Sequence, residues 1–177
     1  MQAVAAGLSA AGVPYAIVGG NAINYWVATK NQYATVTTRD VDILARREDL
    51  DRICAVMADL KFDRADLRKL VMFVSPDEPD RRSGVHMLWA NELVRPSYLA
   101  PSPDPDESIV TADGRRVVSL AAIVRMKLTS LRSKDRVHLE LLLSVGLIGS
   151  QIRESLPPPL AERLAEIEQE MDEDDFA

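Results

Sequence analysis

The chain has 177 residues, one cysteine, two histidines and a formal charge of −6 from 21 Lys and Arg against 27 Asp and Glu. That length suits one domain, with or without a helical appendage, and buries roughly 70% of the unfolded surface without help from a disulfide or structural metal. The lone Cys54 excludes an intramolecular disulfide and a cysteine-based zinc site, while the net acidity excludes a polybasic membrane-surface protein or one that coats nucleic acid by counter-ion release.

No charged side chain occurs before Lys30. A signal peptide needs a positive leading region and an unbroken apolar run, and Gly12-Val13-Pro14 and Gly19-Gly20-Asn21 interrupt this one. No stretch reaches the about 20 apolar residues of a membrane span. A cytoplasmic protein with no membrane partner is expected.

Residues 2–11 read as a short helix stopped by Gly12 and Pro14, and Tyr15–Val18 as a strand ending at Gly19-Gly20. Ala22, Ile23, Tyr25, Trp26 and Val27 give a second helical pattern. Thr35 to Leu44 is rich in Thr, Val and Ile and predicts a strand. Leu50, Ile53, Cys54, Met57 and Leu60 predict an amphipathic helix over 47–60. Strands are expected at 70–74 and 85–89, around a charged loop at 76–83. The prolines at 96, 101, 103 and 105 forbid a helix there. Asp113-Gly114 predicts a hairpin between 108–111 and 115–118. Ser119 suits the N-cap of a helix over 120–133, followed by a helix to Val145 and a last one over 160–171, beyond Pro157-Pro158-Pro159. The acidic residues 172–175 are expected to trail off without structure. Strands interleaved with helices, then helices alone, make this an α+β protein: a mixed sheet flanked by helices over 1–118, and a helical segment over 119–177 that packs on it and ends in the acidic tail.

Chemistry concentrates at Arg39-Asp40-Val41-Asp42-Ile43-Leu44. On a strand Asp40 and Asp42 share one face, where two carboxylates repel unless a cation joins them. A hard dication such as Mg²⁺ relieves that repulsion through carboxylate oxygens. Acid-x-acid pairs are common, about four by chance at this acid content, and Asp49/Asp51, Glu78/Asp80 and Asp104/Asp106 are others. Asp40/Asp42 stands apart because its neighbours are apolar and β-forming. Gly19, Gly20 and Asn21 lie between the first strand and a helix, where glycines admit a ligand and free N–H groups favour phosphate. Neither a P-loop nor a dinucleotide fingerprint is present.

A strand ending in Gly-Gly, then a helix, then a strand bearing Asp-x-Asp resembles the nucleotidyltransferase superfamily of the DNA polymerase β type. The long spacing from Gly20 to Asp40 is similar to its abortive-infection, AbiEii-type toxin-like branch. Met126-Lys127-Leu128-Thr129 and Lys134-Asp135-Arg136-Val137-His138-Leu139 resemble two helical motifs of that branch. The resemblance spans roughly residues 15–146 and implies Mg²⁺ on Asp40 and Asp42, and a nucleoside triphosphate over Gly19, Gly20, Asn21 and Lys127. Asp135 is implied to orient either Lys127 or the acceptor. Transfer of a nucleoside monophosphate to RNA such as tRNA, to protein or to a small molecule is implied, as is a toxin role with an antitoxin partner.

Three positions depart from the pattern. His86 stands where many members carry a third acid, His138 where a second acid follows Asp135, and Gly20 where many have a serine. These departures keep open a weakened enzyme, or a nucleotide-binding or interaction module on the same fold. Arg115, Arg116, Arg125 and Arg132 would dock an RNA acceptor if they cluster; Glu78, Asp80 and Glu92 would line a cleft for an aminoglycoside.

Overall fold

The computed structural model describes residues 1–67, 70–77 and 84–174, with the side chain of Asp174 left out. The strands are β1 (Tyr15–Ile17), β2 (Val41–Ala45), β3 (Asp63–Arg64), β4 (Met72–Val74), β5 (Val85–Trp89), β6 (Ser108–Val110) and β7 (Arg116–Val118). The helices are α1 (Gln2–Ala10), α2 (Gly19–Ala28), α3 (Leu50–Asp59), α4 (Leu120–Ser130), α5 (Ser133–Ser144), α6 (Ser150–Ser155) and α7 (Pro158–Asp174). Among the described residues the strands form one mixed sheet in the order β3-β4-β5-β2-β1-β7-β6. β2 runs antiparallel to β1 and parallel to β5, and β1 runs parallel to β7.

The central strands are buried, as Ala16, Ile17, Ile43, Leu44, Met87 and Val117 attest. α1 turns Val4, Ala5 and Leu8 inward and packs on α3. A Cβ on Gly7 would sit 2.8 Å from Val56 Cγ1, so the missing side chain lets these two helices meet. α2, α4, α5 and α7 pack against one another, and the same apolar core continues from the sheet through Leu128, Leu139 and Leu142 to Leu160, Leu164 and Ile167.

The expected strand over 35–44 starts only at Val41. Its first half is held by side chains instead of a neighbouring strand. Asn24 Nδ2 donates to the Val36 carbonyl at 2.8 Å and Asn24 Oδ1 accepts from the Val36 N–H at 2.7 Å, while Asn21 Nδ2 donates to the Asp40 carbonyl at 2.8 Å. With those backbone groups taken up by α2, a β-type composition no longer requires a ladder.

The helix expected over 120–133 ends at Ser130, because Leu131 adopts the left-handed conformation (φ 42) and starts the turn into α5. The hairpin at Asp113-Gly114 forms with Gly114 at φ 82, pairing Val110 with Arg116. Ser119 caps α4 by accepting from the Ala122 N–H. At the C-terminus the acidic residues 172–174 do not trail off but continue α7, and Asp175 lies outside the described residues. β3, α6 and a 3-10 turn at Arg47–Asp49 carry too few residues for a periodic signal.

Candidate active site

β1 and β2 lie side by side, and their ends build the site. The Val18 N–H donates to the Asp42 carbonyl at 2.9 Å, after which Gly19 turns the chain into α2 with φ +64. A Cβ at Gly19 would fall 2.0 Å from Asp42 Oδ2, so only glycine fits beneath that carboxylate. Val18, the N-cap of α2, offers no side-chain acceptor. The first-turn amides at Gly19, Gly20 and Asn21 therefore point outward with no intrahelical acceptor, next to Asp42.

Asp40 sits just before β2, and the Asn21 hydrogen bond to its carbonyl fixes it there. Thr38 Oγ1 donates to Asp40 Oδ1 at 2.7 Å. A Cβ at Gly20 would meet Thr38 Cβ at 2.9 Å and Thr38 Oγ1 at 3.0 Å. The threonine hydroxyl thus fills the space that a serine side chain at position 20 would enter. Nothing in the sequence reading singled out Thr38; the signal was a hydroxyl residue two positions before an aspartate, a common side-chain turn.

Across the sheet, β5 delivers His86. Asp42 and His86 are direct partners in the parallel β2–β5 pair, and His86 Nδ1 lies 3.7 Å from both Asp40 Oδ2 and Asp42 Oδ1. One donor atom from each of the three residues falls within 4.8 Å of the others, the one such metal-ligating group among the described residues. Two carboxylates and an imidazole converging on one point are a donor set that fits a divalent ion. Burial raises the Asp40 carboxyl, but the Thr38 hydrogen bond, with help from His86 and Lys134, holds it below the usual carboxylate range.

The other acid-x-acid pairs have different neighbours. Arg46 Nη2 spans Asp104 Oδ1 at 2.6 Å and Asp106 Oδ2 at 2.8 Å, and Arg52 holds Asp49 at 2.7 Å. Glu78 and Asp80 lie outside the described residues. Glu92, expected in an acidic cleft, is held bidentately by Arg47 at 2.5 and 2.7 Å.

Facing the acids are α4 and the start of α5. Lys127 is buried on α4, with Nζ 2.8 Å from Asp135 Oδ1. Asp135 is fully buried at the first turn of α5 and also accepts from Ser130 Oγ at 2.7 Å, Arg132 Nε at 2.7 Å and the Arg132 N–H at 3.2 Å. Burial pushes the Asp135 carboxyl up, yet the Arg132 hydrogen bond and the Lys127 charge outweigh it and hold the carboxyl far below its ordinary value. Burial lowers the Lys127 amine, against the pull of Asp135 and Asp42. Asp135 is the fixed anion of the pair, and Lys127 holds its proton less firmly. The guanidinium of Arg132 also feels Asp42, and Lys134 feels Asp40. Lys127, Arg132 and Lys134 thus form a wall of cations within electrostatic reach of the acid cluster.

His138 is half-buried beside this wall, with its Nδ1 buried and lacking a hydrogen-bond partner. Burial and the Lys127 charge push it down to about 4. The remaining arginines are engaged separately: Arg115 with Asp113 at 2.6 Å, Arg125 with Glu107 at 2.5 Å, and Arg116 donating to Ser108 Oγ at 3.4 Å.

No family model matches the chain, and no curated protein matches it. Solved structures do. The antibiotic-resistance factor ANT(2'')-Ia in solution superposes with a TM-score of 0.60 at 16% identity, covering 97% of this chain and 95% of that one. Its crystal structure with adenylyl-2''-tobramycin gives 0.56 at 16% identity, over 95% and 94%. An antigenic nucleotidyltransferase-like protein from Paracoccidioides brasiliensis gives 0.60 at 14% identity, over 97% and 87%. The fold is nucleotidyltransferase-like. At these identities the likeness is one of backbone architecture, and the chemistry rests on the side chains described above.

Proposed function

We propose that the protein is a divalent-metal-dependent nucleotidyltransferase that moves a nucleoside monophosphate from a nucleoside triphosphate to an acceptor hydroxyl. The convergence of Asp40, Asp42 and His86 beside the open N-terminus of α2 carries this reading, and the nucleotidyltransferase-like fold supports it. Asp40 and Asp42 would hold the cation, with His86 as their third donor; Mg²⁺ is the ion the sequence resemblance implies. Bound there, a dication neutralises phosphate charge and activates the α-phosphorus.

The residues of the chain account for the rest. The amides of Gly19, Gly20 and Asn21 donate to phosphate oxygens at the positive end of α2. Thr38 keeps Asp40 turned toward the site. Lys127 and Arg132 offset the charge that grows on the phosphates as the acceptor oxygen attacks in line. The bond from the α-phosphorus to the bridging oxygen breaks, pyrophosphate leaves, and the acceptor proton passes to solvent. Asp135 is buried and fully engaged, so it acts as a positioning residue for Lys127 rather than touching the acceptor.

The acceptor we favour is a small polyhydroxylated molecule. Arg115 and Arg125 each hold a carboxylate of their own, and a net charge of −6 disfavours an extended RNA contact; one structural neighbour is an antibiotic-resistance factor. A toxin in a toxin–antitoxin or phage-defence pair is the second reading, favoured by the direct Lys127–Asp135 bond between the two motifs that resemble the toxin branch. Transfer of radiolabel from each triphosphate to aminoglycosides, bulk tRNA and protein distinguishes these acceptors, and growth arrest on expression, relieved by an Asp42→Asn change, marks a toxin. Asp40→Asn and Asp42→Asn should each lower transfer by about a hundredfold or more while the chain stays folded. Wild-type transfer rates in both variants refute the reading.

A further inference from the structure

The metal site carries an imidazole where an all-oxygen set would hold a third carboxylate, and this bears on which metal it takes. His86 is not a loose neighbour. It is locked opposite Asp42 by the parallel β2–β5 register, which continues on either side through Val41↔Val85 and Ile43↔Met87, and the residues beside it, Val85 and Met87, are buried. The side chains of Asp42 and His86 are 19% and 17% exposed, so both are held by the sheet at the edge of the site. The Nδ1 atom stands 3.7 Å from each carboxylate. Donors about 2.1 Å from one ion are about 3.0 Å apart at right angles, so a closure of about 0.7 Å at each contact would let the three groups share a single cation.

We propose that His86 is a direct ligand that biases the site toward first-row transition dications such as Mn²⁺, and away from Mg²⁺. Mg²⁺ demands a near-octahedral shell of oxygens and gives up water reluctantly, whereas an imidazole nitrogen adds bond strength for Mn²⁺ and the later metals. Two carboxylates would keep the site hard enough for a cation that also has to neutralise phosphate charge. The inference rests on the metal-dependent reading above and deepens it, because it says which class of ion the third donor selects.

Mn²⁺ titrated into the full-length protein, followed by electron paramagnetic resonance and by spin-echo modulation, reads the ligand directly. The expected result is one bound Mn²⁺ whose echo is modulated by a histidine nitrogen, the pattern changing when the protein is labelled with ¹⁵N-histidine. It should persist in His138→Gln and vanish in His86→Asp and His86→Gln. Competition with Mg²⁺ should show the Mn²⁺ preference falling in His86→Asp by about tenfold or more, at least the loss produced by weaker, outer contacts of a metal. Bound Mn²⁺ with no nitrogen modulation in the unmutated protein overturns the inference and leaves the metal site intact. Failure of both Mn²⁺ and Mg²⁺ to bind, with or without a nucleoside triphosphate, overturns the metal-dependent reading as well. The ¹⁵N comparison needs no substitution, so a poorly folding His86 variant does not spoil the test.

Discussion

Lys127 and Asp135 show how far a single residue's meaning depends on what surrounds it. A lysine in an apolar stripe is visible in the sequence, and so is the aspartate eight positions later, but their bond needs the turn at Leu131. Four groups converge on the Asp135 carboxylate: Lys127 Nζ, Ser130 Oγ, and the backbone and side chain of Arg132. Breaking such a pair leaves one buried charge alone. Asp135→Asn should therefore cost about 3 kcal/mol in urea denaturation, and the Lys127 amine should lose its proton at lower pH. His138 offers a test of opposite chemistry. Its folded value of about 4 lies below the ordinary histidine value, so the unfolded chain binds the proton first as pH falls. The stability present above about pH 6.5 should decline as pH drops toward 4, and His138→Gln should flatten that slope. Asp40 and Asp135, whose carboxyls are lowered, act in a more acidic window. Thermal melts across the range separate the two windows.

At the scale of elements, α2 does the positioning. Its N-terminal turn lies under Asp42, and its asparagines hold the 36–40 segment that brings Asp40 to the site. Asn24→Ala removes both bonds to Val36 and should cost about 1–2 kcal/mol. Because the segment it loosens leads into Asp40, whose own carbonyl stays bonded to Asn21, Mn²⁺ affinity should fall along with stability; calorimetry of wild type and variant checks whether they fall together. This grip is also why the strand boundary was misplaced in the sequence. Thr35, Val36, Thr37 and Thr38 have the composition of a strand, and only a helix distant in sequence supplies the amides that make pairing unnecessary. The hairpin at Asp113-Gly114 and the Ser119 cap, in contrast, depend on neighbours a few residues away, and both are legible locally.

The whole molecule joins its two parts through one core. Leu160, Leu164 and Ile167 on α7 are almost completely buried, and α7 packs on α4 and α5. Those three side chains alone contribute about 5–8 kcal/mol of burial, as much as the total stability of many domains. We therefore propose that 1–118 and 119–177 fold as one cooperative unit. A chain ending at Leu156 should be largely unfolded by circular dichroism at 25 °C, and the intact chain should melt in a single transition.

Motif order and local patterning suffice for the α+β class, the Gly-Gly turn, the paired aspartates and the amphipathic helices, because each depends on backbone geometry and spacing within a few residues. Folding supplies the rest. Asp104/Asp106 and Asp40/Asp42 differ along the chain only in their neighbours, and the packed structure alone sets Arg46 between the first pair and His86 beside the second. Thr38 joins the site for the same reason, and the four arginines are dispersed among separate partners, three carboxylates and the Ser108 hydroxyl. Long-range contacts select a partner for each side chain, and no pattern within a single segment encodes that choice.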